Sequence, residues 1–243
     1  MVDIHCHILP CFDDGSPGMA ESLEMARMAA RTGVTDIVAT PHFAGRNAAE
    51  DVLPVLAERC RELSRTVDLA GIPVKIHPGA EILCTAEMAE LAKKKLLPAI
   101  GSTDYLLTEF YFDEDLRFMD EMLCRLRRAG YIPVVAHPER YDAIQRDPLI
   151  LERWFRRGDV IQLNKGSILG ALGHRAEHAA HLILDAGLAH IVASDAHSPL
   201  HRTPHMGELN RWMDRHLQPD YARILLEDNP RRLIRGEEMV PAD

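Results

Sequence analysis

At 243 residues, 47% of them apolar and 27% charged, the chain is long enough for one sizeable α/β core, and it has no apolar run approaching a membrane span. A net charge of -9 leaves no basic footprint for nucleic acid. The five cysteines, Cys6, Cys11, Cys60, Cys84 and Cys124, are scattered without C-x-x-C spacing and read as reduced thiols. With no basic, apolar leader ahead of position 5, the expectation is a cytoplasmic protein with no membrane insertion, forming one domain over 1–243.

Short apolar runs and amphipathic helical stretches alternate along the chain, giving seven strand units. In the first, Val2 and Ile4 point one way while Asp3, His5 and His7 point the other; after the loop Ile8 to Gly18 a helix runs from Met19 to Thr32. The second strand, Val34 to Thr40, ends in Pro41-His42 and leads to a charged helix from Ala48 to Leu69, read as a solvated face first and an oligomer contact second. The third, Pro73 to Ala80, ends at Glu81 and precedes a helix from Thr85 to Lys95. The fourth, Asp104 to Thr108, ends at Glu109 and is followed by a helix from Asp115 to Ala129. The fifth, Tyr131 to Ala136, ends at His137-Pro138, with a helix around Pro148 to Arg157. The sixth, Val160 to Leu163, ends at Asn164 and feeds a helix from Gly173 to Ala186. The seventh, His190 to Ser194, ends at Asp195-Ala-His197, and the tail carries helical stretches from Pro204 to Leu217 and Pro219 to Arg235. This succession implies parallel pairing with right-handed crossovers, and closure predicts a (βα)7 barrel with the first strand against the seventh.

In a parallel barrel every strand opens its C-terminal end onto one face, and that face carries the chemistry. Standing there are His5, His7, His42, Glu81, Glu109, His137, Asp195 and His197, and Asp13-Asp14-Gly15 in the first loop adds a further carboxylate. Each alone reads as a helix cap or a satisfied polar residue; together on one rim they read as a metal site. Nine donors exceed the needs of one ion, and mixed nitrogen and oxygen ligands suit two or three ions of manganese, iron or zinc.

The segments Asp3-Ile-His-Cys-His-Ile-Leu-Pro10, Glu21-Ser-Leu-Glu-Met-Ala26, Ala39-Thr-Pro-His42, Pro78-Gly-Ala-Glu81, Ala136-His-Pro-Glu-Arg-Tyr141, Ala193-Ser-Asp-Ala-His197 and Glu227-Asp-Asn-Pro230 span nearly the whole chain. Through them the chain resembles the PHP-domain (polymerase and histidinol phosphatase) proteins, and more closely the bacterial manganese-dependent tyrosine-protein phosphatases of capsule and exopolysaccharide loci. The resemblance implies a distorted (βα)7 TIM-like barrel holding three divalent metals, Mn2+ foremost with Fe or Zn as alternatives. It implies His5, His7, Glu81 and Asp195 on one ion, Glu81, Glu109 and His137 on a second, and Asp14, His42 and His197 on a third, with Asp13 an alternative to Asp14. It also implies a phosphotyrosine protein substrate, a bacterial tyrosine kinase controlling polysaccharide export, and allows a homo-oligomer.

Three divalent ions against four carboxylates leave a net charge of about +2, which favours an anionic substrate. Arg140 and Arg202, three and five residues beyond His137 and His197, offer guanidinium forks that match phosphate oxygens, the role implied by the resemblance. The mechanism expected is attack by a metal-bound hydroxide. A cysteine mechanism is excluded, because no cysteine heads a C-x5-R motif; Cys6, alternating away from its histidine neighbours, reads as packing. Rival readings are a phosphatase of a small ester such as histidinol phosphate, an amidohydrolase, which usually has eight strands and a bridging lysine, and a non-catalytic PHP module. His174, His178 and His181 share one helical face, read as solvated, while His77 and His190 read as structural and His201 and His205 as residues near the mouth.

Overall fold

The structure is a computed structural model and describes residues 1–44 and 49–241. Its strands are β1 (Val2–Cys6), β2 (Asp36–Ala39), β3 (His42–Phe43), β4 (Lys75–Pro78), β5 (Glu81–Leu83), β6 (Tyr105–Glu109), β7 (Ile132–Ala136), β8 (Val160–Asn164) and β9 (Ile191–Ala193). All pair in parallel, in two sheets ordered β1-β2-β4 and β3-β5-β6-β7-β8-β9. Most strand residues are fully buried, the condition of a parallel sheet covered on both faces.

Two of the seven expected strands are each split in two. The second breaks between β2 and β3 at Thr40-Pro41, and the third breaks between β4 and β5 at Gly79-Ala80. Pro41 has no N–H to give to a ladder. Gly79 sits so close to the neighbouring strand that a Cβ there would lie 2.8 Å from Val38 Cγ1. The breaks fall at the same level because the pieces pair, Ile37 with Ile76 before the break and His42 with Glu81 after it. At the other edge, Asp195 N donates to His5 O (2.9 Å) and His7 N donates to Ala196 O (2.8 Å), tying the end of β1 to the segment after β9.

The helices are α1 (Met19–Arg31), α2 (Ala49–Leu69), α3 (Met88–Lys93), α4 (Leu116–Arg128), α5 (Asp142–Arg146), α6 (Leu151–Arg157), α7 (Lys165–Ile168), α8 (His174–Asp185), α9 (Gly207–His216), α10 (Pro219–Arg223) and α11 (Asn229–Arg235). The expected first residue of α2, Ala48, lies outside the described residues. α4 shows how these helices are specified. Asp115 accepts at its side chain from Arg117 N and Phe118 N, fixing the start, and Met119, Met122, Leu123 and Leu126 form the buried stripe. The helix expected from Thr85 starts three residues later, and α5 and α7, at five and four residues, are too short to show a period. The last helical stretch is continuous, but a π-helical turn over Ile224–Asp228 separates α10 from α11.

The core has two parts. A larger cluster fills the space between helices and sheets, and a second gathers Ile4, Val38, Leu107, Val134, Val160 and Ile191, side chains from β1, β2, β6, β7, β8 and β9, into one shared apolar centre. Among the described residues no helix is long and apolar enough to cross a membrane.

Candidate metal centre

β1 delivers His5 and, one step past its end, His7; both rings are fully buried. β3 opens with His42, β5 opens with Glu81, β6 closes with Glu109, and the turns after β7 and β9 carry His137, Asp195 and His197. Four of the histidines converge on Glu81. Its Oε2 lies 3.2 Å from His5 Nε2, from His7 Nε2 and from His42 Nδ1, and its Oε1 lies 2.9 Å from His137 Nε2. Asp195 Oδ1 faces the same two histidines, 3.4 Å from His5 Nε2 and 3.5 Å from His7 Nε2. Glu109 Oε1 is 3.0 Å from His42 Nδ1, and Asp14 Oδ1 lies 3.4 Å from His42 Nε2 and 3.7 Å from His197 Nε2.

These separations test whether cations fit. His5 Nε2 and His7 Nε2 face each other at 3.2 Å. For bonds of about 2.1 Å, neighbouring ligand atoms in a tetrahedral or octahedral shell lie roughly 3.0–3.4 Å apart, so the donors already stand near coordination spacing. The tight groupings of donor atoms are His5 with His7 and Glu81; His5 with His137 and Asp195; His42 with Glu81 and Glu109; and His7 with Asp14, His42 and His197. All nine sequence-derived donors fall in these groups. Asp14, His42 and His197 fall in one group with His7, His5 and His7 fall with Glu81, and Glu109 falls with Glu81 and His42, while His137 touches Glu81 but gathers with His5 and Asp195.

Electrostatically the cluster is held by its own opposite charges. Burial opposes charge on His5 and His7, yet Glu81 and Asp195 around both rings, with Asp13 beside His7, hold both imidazoles above the ordinary histidine value. Against the same opposition, Glu109 and Glu81 bring His42 up to about 10. Glu81 is held well below the usual carboxylate range, its burial outweighed by His5, His137 and His42; Asp195 is likewise lowered by His5, His7 and His137. Burial, His7 and Arg202 push His197 down to about 4, so it stays neutral. Protons on the histidines thus do the neutralising that bound cations would do.

Side chains outside the nine expected donors aim these rings, and of them Gln162, Glu139 and the bracing role of Asp3 are what sequence reasoning missed. Gln162, inward on β8, accepts at Oε1 from His5 Nδ1 (2.9 Å), leaving Nε2 toward the cluster. Asp13 Oδ2 bonds His7 Nδ1 (2.7 Å) and accepts from His42 N (2.9 Å), while its Oδ1 accepts from Gly15 N (2.9 Å). Asp13 therefore braces the ring of His7 and Asp14 reaches the donor group, an assignment that the sequence leaves open. Gly15 makes the loop fit, since a Cβ there would lie 2.2 Å from His7 O. Asn164 donates from Nδ2 to Asp195 Oδ2 (2.5 Å), and Glu139 accepts from Asn164 N (2.9 Å). Asp3, fully buried, accepts from Ser194 N and Oγ and fastens the start of β1 beneath Asp195. Gln162 carried one legible signal, an amide inside a buried apolar run.

Both expected arginines reach the rim. Arg202 Nη2 pairs with Asp195 Oδ2, and Arg140 Nη1 lies 3.7 Å from the same oxygen. His137, Asp195 and Arg202 have φ of 36°, 50° and 50°, a left-handed conformation costly for residues with a Cβ. His201 and His205 line a cavity of about 570 Å3 beside Arg202, with Asn164, Lys165 and Leu200. Cys6 lies in the core, its thiol pushed up by burial and Asp3. His190 accepts from Ile161 N and stacks on Phe155, with burial holding it down at about 4, and His77 pairs with Asp36. His181 is engaged by Ile168 O and the Trp212 ring, away from any metal-like group.

The family model described as "Capsular polysaccharide synthesis, CpsB/CapC" matches residues 1–235. The tyrosine-protein phosphatase YwqE of Bacillus subtilis is 36% identical over 238 residues, covering 98% of this chain and 92% of the relative. The tyrosine-protein phosphatase CpsB of Streptococcus pneumoniae is 30% identical, with 96% and 98% covered. A structure solved in a crystallographic study of YwqE and CpsB, described there as unique metal-dependent tyrosine phosphatases, superposes with a TM-score of 0.88 at 33% identity, covering 100% of this chain and 97% of the other. With the family model matched over residues 1–235 and relatives matched over nearly the whole chain, the chain belongs to the capsular polysaccharide synthesis CpsB/CapC family.

Proposed function

We propose that this chain is a metal-dependent protein-tyrosine phosphatase that acts, in the cytoplasm, on a bacterial tyrosine kinase controlling polysaccharide export. The observation that carries the reading is the convergence on Glu81 and Asp195 of histidine and carboxylate donors at 3.2–3.5 Å, with two guanidinium groups at the same rim. His5, His7, Asp14, His42, Glu81, Glu109, His137, Asp195 and His197 would hold three divalent ions, Mn2+ first and Fe or Zn next. A distorted (βα)7 barrel over the single domain 1–243 is the matching scaffold, supported by the bonds between His5 to His7 and Asp195 to Ala196 and by the shared apolar centre.

Divalent ions held by these donors would activate a water and stabilise charge on the phosphoryl oxygens. The chain supplies aim and counter-charge. Gln162 and Asp13 engage Nδ1 of His5 and His7 and leave Nε2 of each ring facing Glu81. Arg140 and Arg202, balanced by Asp195 here, are the groups that meet an incoming phosphate. A tyrosyl oxygen, with a pKa of about 10, departs with little protonation, so the mechanism needs no dedicated general acid.

The test is phosphate release from a phosphotyrosine peptide and from histidinol phosphate, each with added manganese and with a chelator. Manganese-dependent turnover of the peptide, abolished by the chelator, is expected. Turnover unaffected by chelation, or preference for histidinol phosphate, defeats the reading.

A further inference from the structure

Large apolar side chains are exposed at seven places among the described residues, and two of them, Tyr111 and Phe112, stand directly after the β6 end that carries Glu109. An exposed aromatic side chain that is held in place beside a candidate site is available to contact a ligand. Phe112, 46% exposed, is not a loose loop residue. Its carbonyl accepts from Asp142 N (2.7 Å), which fixes the β6–α4 loop to the turn carrying His137 and Arg140. Its ring lies 4.3 Å from the Arg140 guanidinium carbon, 6.3 Å from the His137 ring and 6.5 Å from the Tyr141 ring. Arg140 in turn reaches toward Asp195 at the cluster. The chain therefore sets an open aromatic surface beside the arginine that meets the phosphate.

We propose that Phe112 is a specificity-determining residue for an aryl leaving group: one part of its ring backs Arg140, and the open part packs against the aromatic ring of the phosphotyrosyl substrate. This rests on the phosphatase reading above and names the wall of that same site. An alkyl phosphate such as phosphoserine is too short to reach the wall and has no ring to lay on it, so the contact discriminates on the leaving group while the phosphate is held by the arginines. Aromatic pairs prefer offset or edge-to-face geometry, which a rim residue fixed from behind and open in front can offer.

The experiment uses the manganese-loaded full chain and the variants Phe112→Ala and Phe112→Leu, at a site open enough that neither change disturbs the core. Two quantities are measured: KM for a phosphotyrosine peptide and the inhibition constant of inorganic phosphate, which has no ring. Both variants are expected to raise KM for the peptide by roughly tenfold while the phosphate constant moves by less than about twofold. An equal rise in both quantities overturns the proposal, because the ring would then serve only to position Arg140. An unchanged KM overturns it as well. A wild-type protein that turns over no phosphotyrosine defeats the phosphatase reading and this proposal together, whereas an active wild type with unaffected variants defeats this proposal alone.

Discussion

Replacing Asp13 with asparagine keeps the shape of the side chain but removes the charge and turns one acceptor oxygen into a donor. Three donors or ring nitrogens depend on that carboxylate: His7 Nδ1 and His42 N on Oδ2, and Gly15 N on Oδ1. Whichever way the new amide turns, its NH2 faces an N–H, so either the partly buried Gly15 N–H or the more open His42 N–H loses its acceptor, at a cost of about 1 kcal/mol. In either orientation the bond from His7 Nδ1 loses its charged acceptor, and with the NH2 at the Oδ2 place it loses its acceptor altogether, so Nε2 is held less firmly toward Glu81. Loss of such an orienting carboxylate weakens metal affinity by roughly 10- to 100-fold, about 1.4–2.8 kcal/mol, the larger of the two effects. The assay is a manganese titration followed by both bound metal and phosphatase turnover. D13N should shift the midpoint to higher manganese and recover activity when saturated, because every donor remains. D14N, which removes a donor, should stay impaired at saturation. An unchanged midpoint in D13N, or recovery by D14N and not by D13N, refutes the division of labour between the two aspartates.

Metal loading should release protons and tighten as pH rises. The metal-free His42 is held at about 10, above the ordinary 6.5, so it is protonated near pH 7 and must give up that proton to become a ligand; calorimetric titration with manganese in buffers of different ionisation enthalpy reads the count, and zero release refutes it. The same shift gives metal-free stability a sign: the His42 contribution is full below its ordinary value of 6.5 and fades as pH rises toward about 10, while that of Asp13, lowered to about 2, is present above 3.8 and is lost as pH falls toward about 2. Chelated protein melted across pH should follow both arms. Gly79→Ala should lower stability by about 1–3 kcal/mol, because the added Cβ meets Val38 Cγ1 at 2.8 Å and Ile100 Cγ1 at 3.4 Å; a denaturant midpoint equal to wild type would show that the strand break is not tightly packed.

What the sequence made legible is what periodicity controls. His5 and His7 could be aimed at one face because a strand alternates, and Glu109, His137 and Asp195 could be gathered because parallel strands share one open end. The split of two strands was not legible, since a proline or a glycine near a strand end is compatible with a simple ending, and only the pairing of His42 with Glu81 shows the chain resuming. Gln162, and the bracing roles of Asp13 and Asn164, were not legible for another reason. Each acts through a partner fixed by tertiary packing: Gln162 stands 157 residues from His5, and Asn164 stands 31 from Asp195. No local pattern encodes such a pair, and an amide or a second aspartate beside a ligand looks the same whether it braces a ring or faces water.

The backbone at the rim shows how much of the fold serves the donors. His137, Asp195 and Arg202 are three of five non-glycine residues with positive φ among the described residues, and each occupies a turn where the chain leaves a strand or folds back over the cluster. Glycine would relieve about 1–2 kcal/mol of strain at each place but would remove the imidazole, the carboxylate or the guanidinium. Local bonds offset the cost: Asp195 N donates to His5 O, His197 N donates to Arg202 O, and Arg140 N donates to His137 O. Two of these bonds run from the strained turns to segments that themselves carry donors, so the distortion and the aim of the ligands share the same supports. Weakening the β1 junction should therefore loosen Asp195 before it loosens the helices, and metal affinity should fall ahead of global stability.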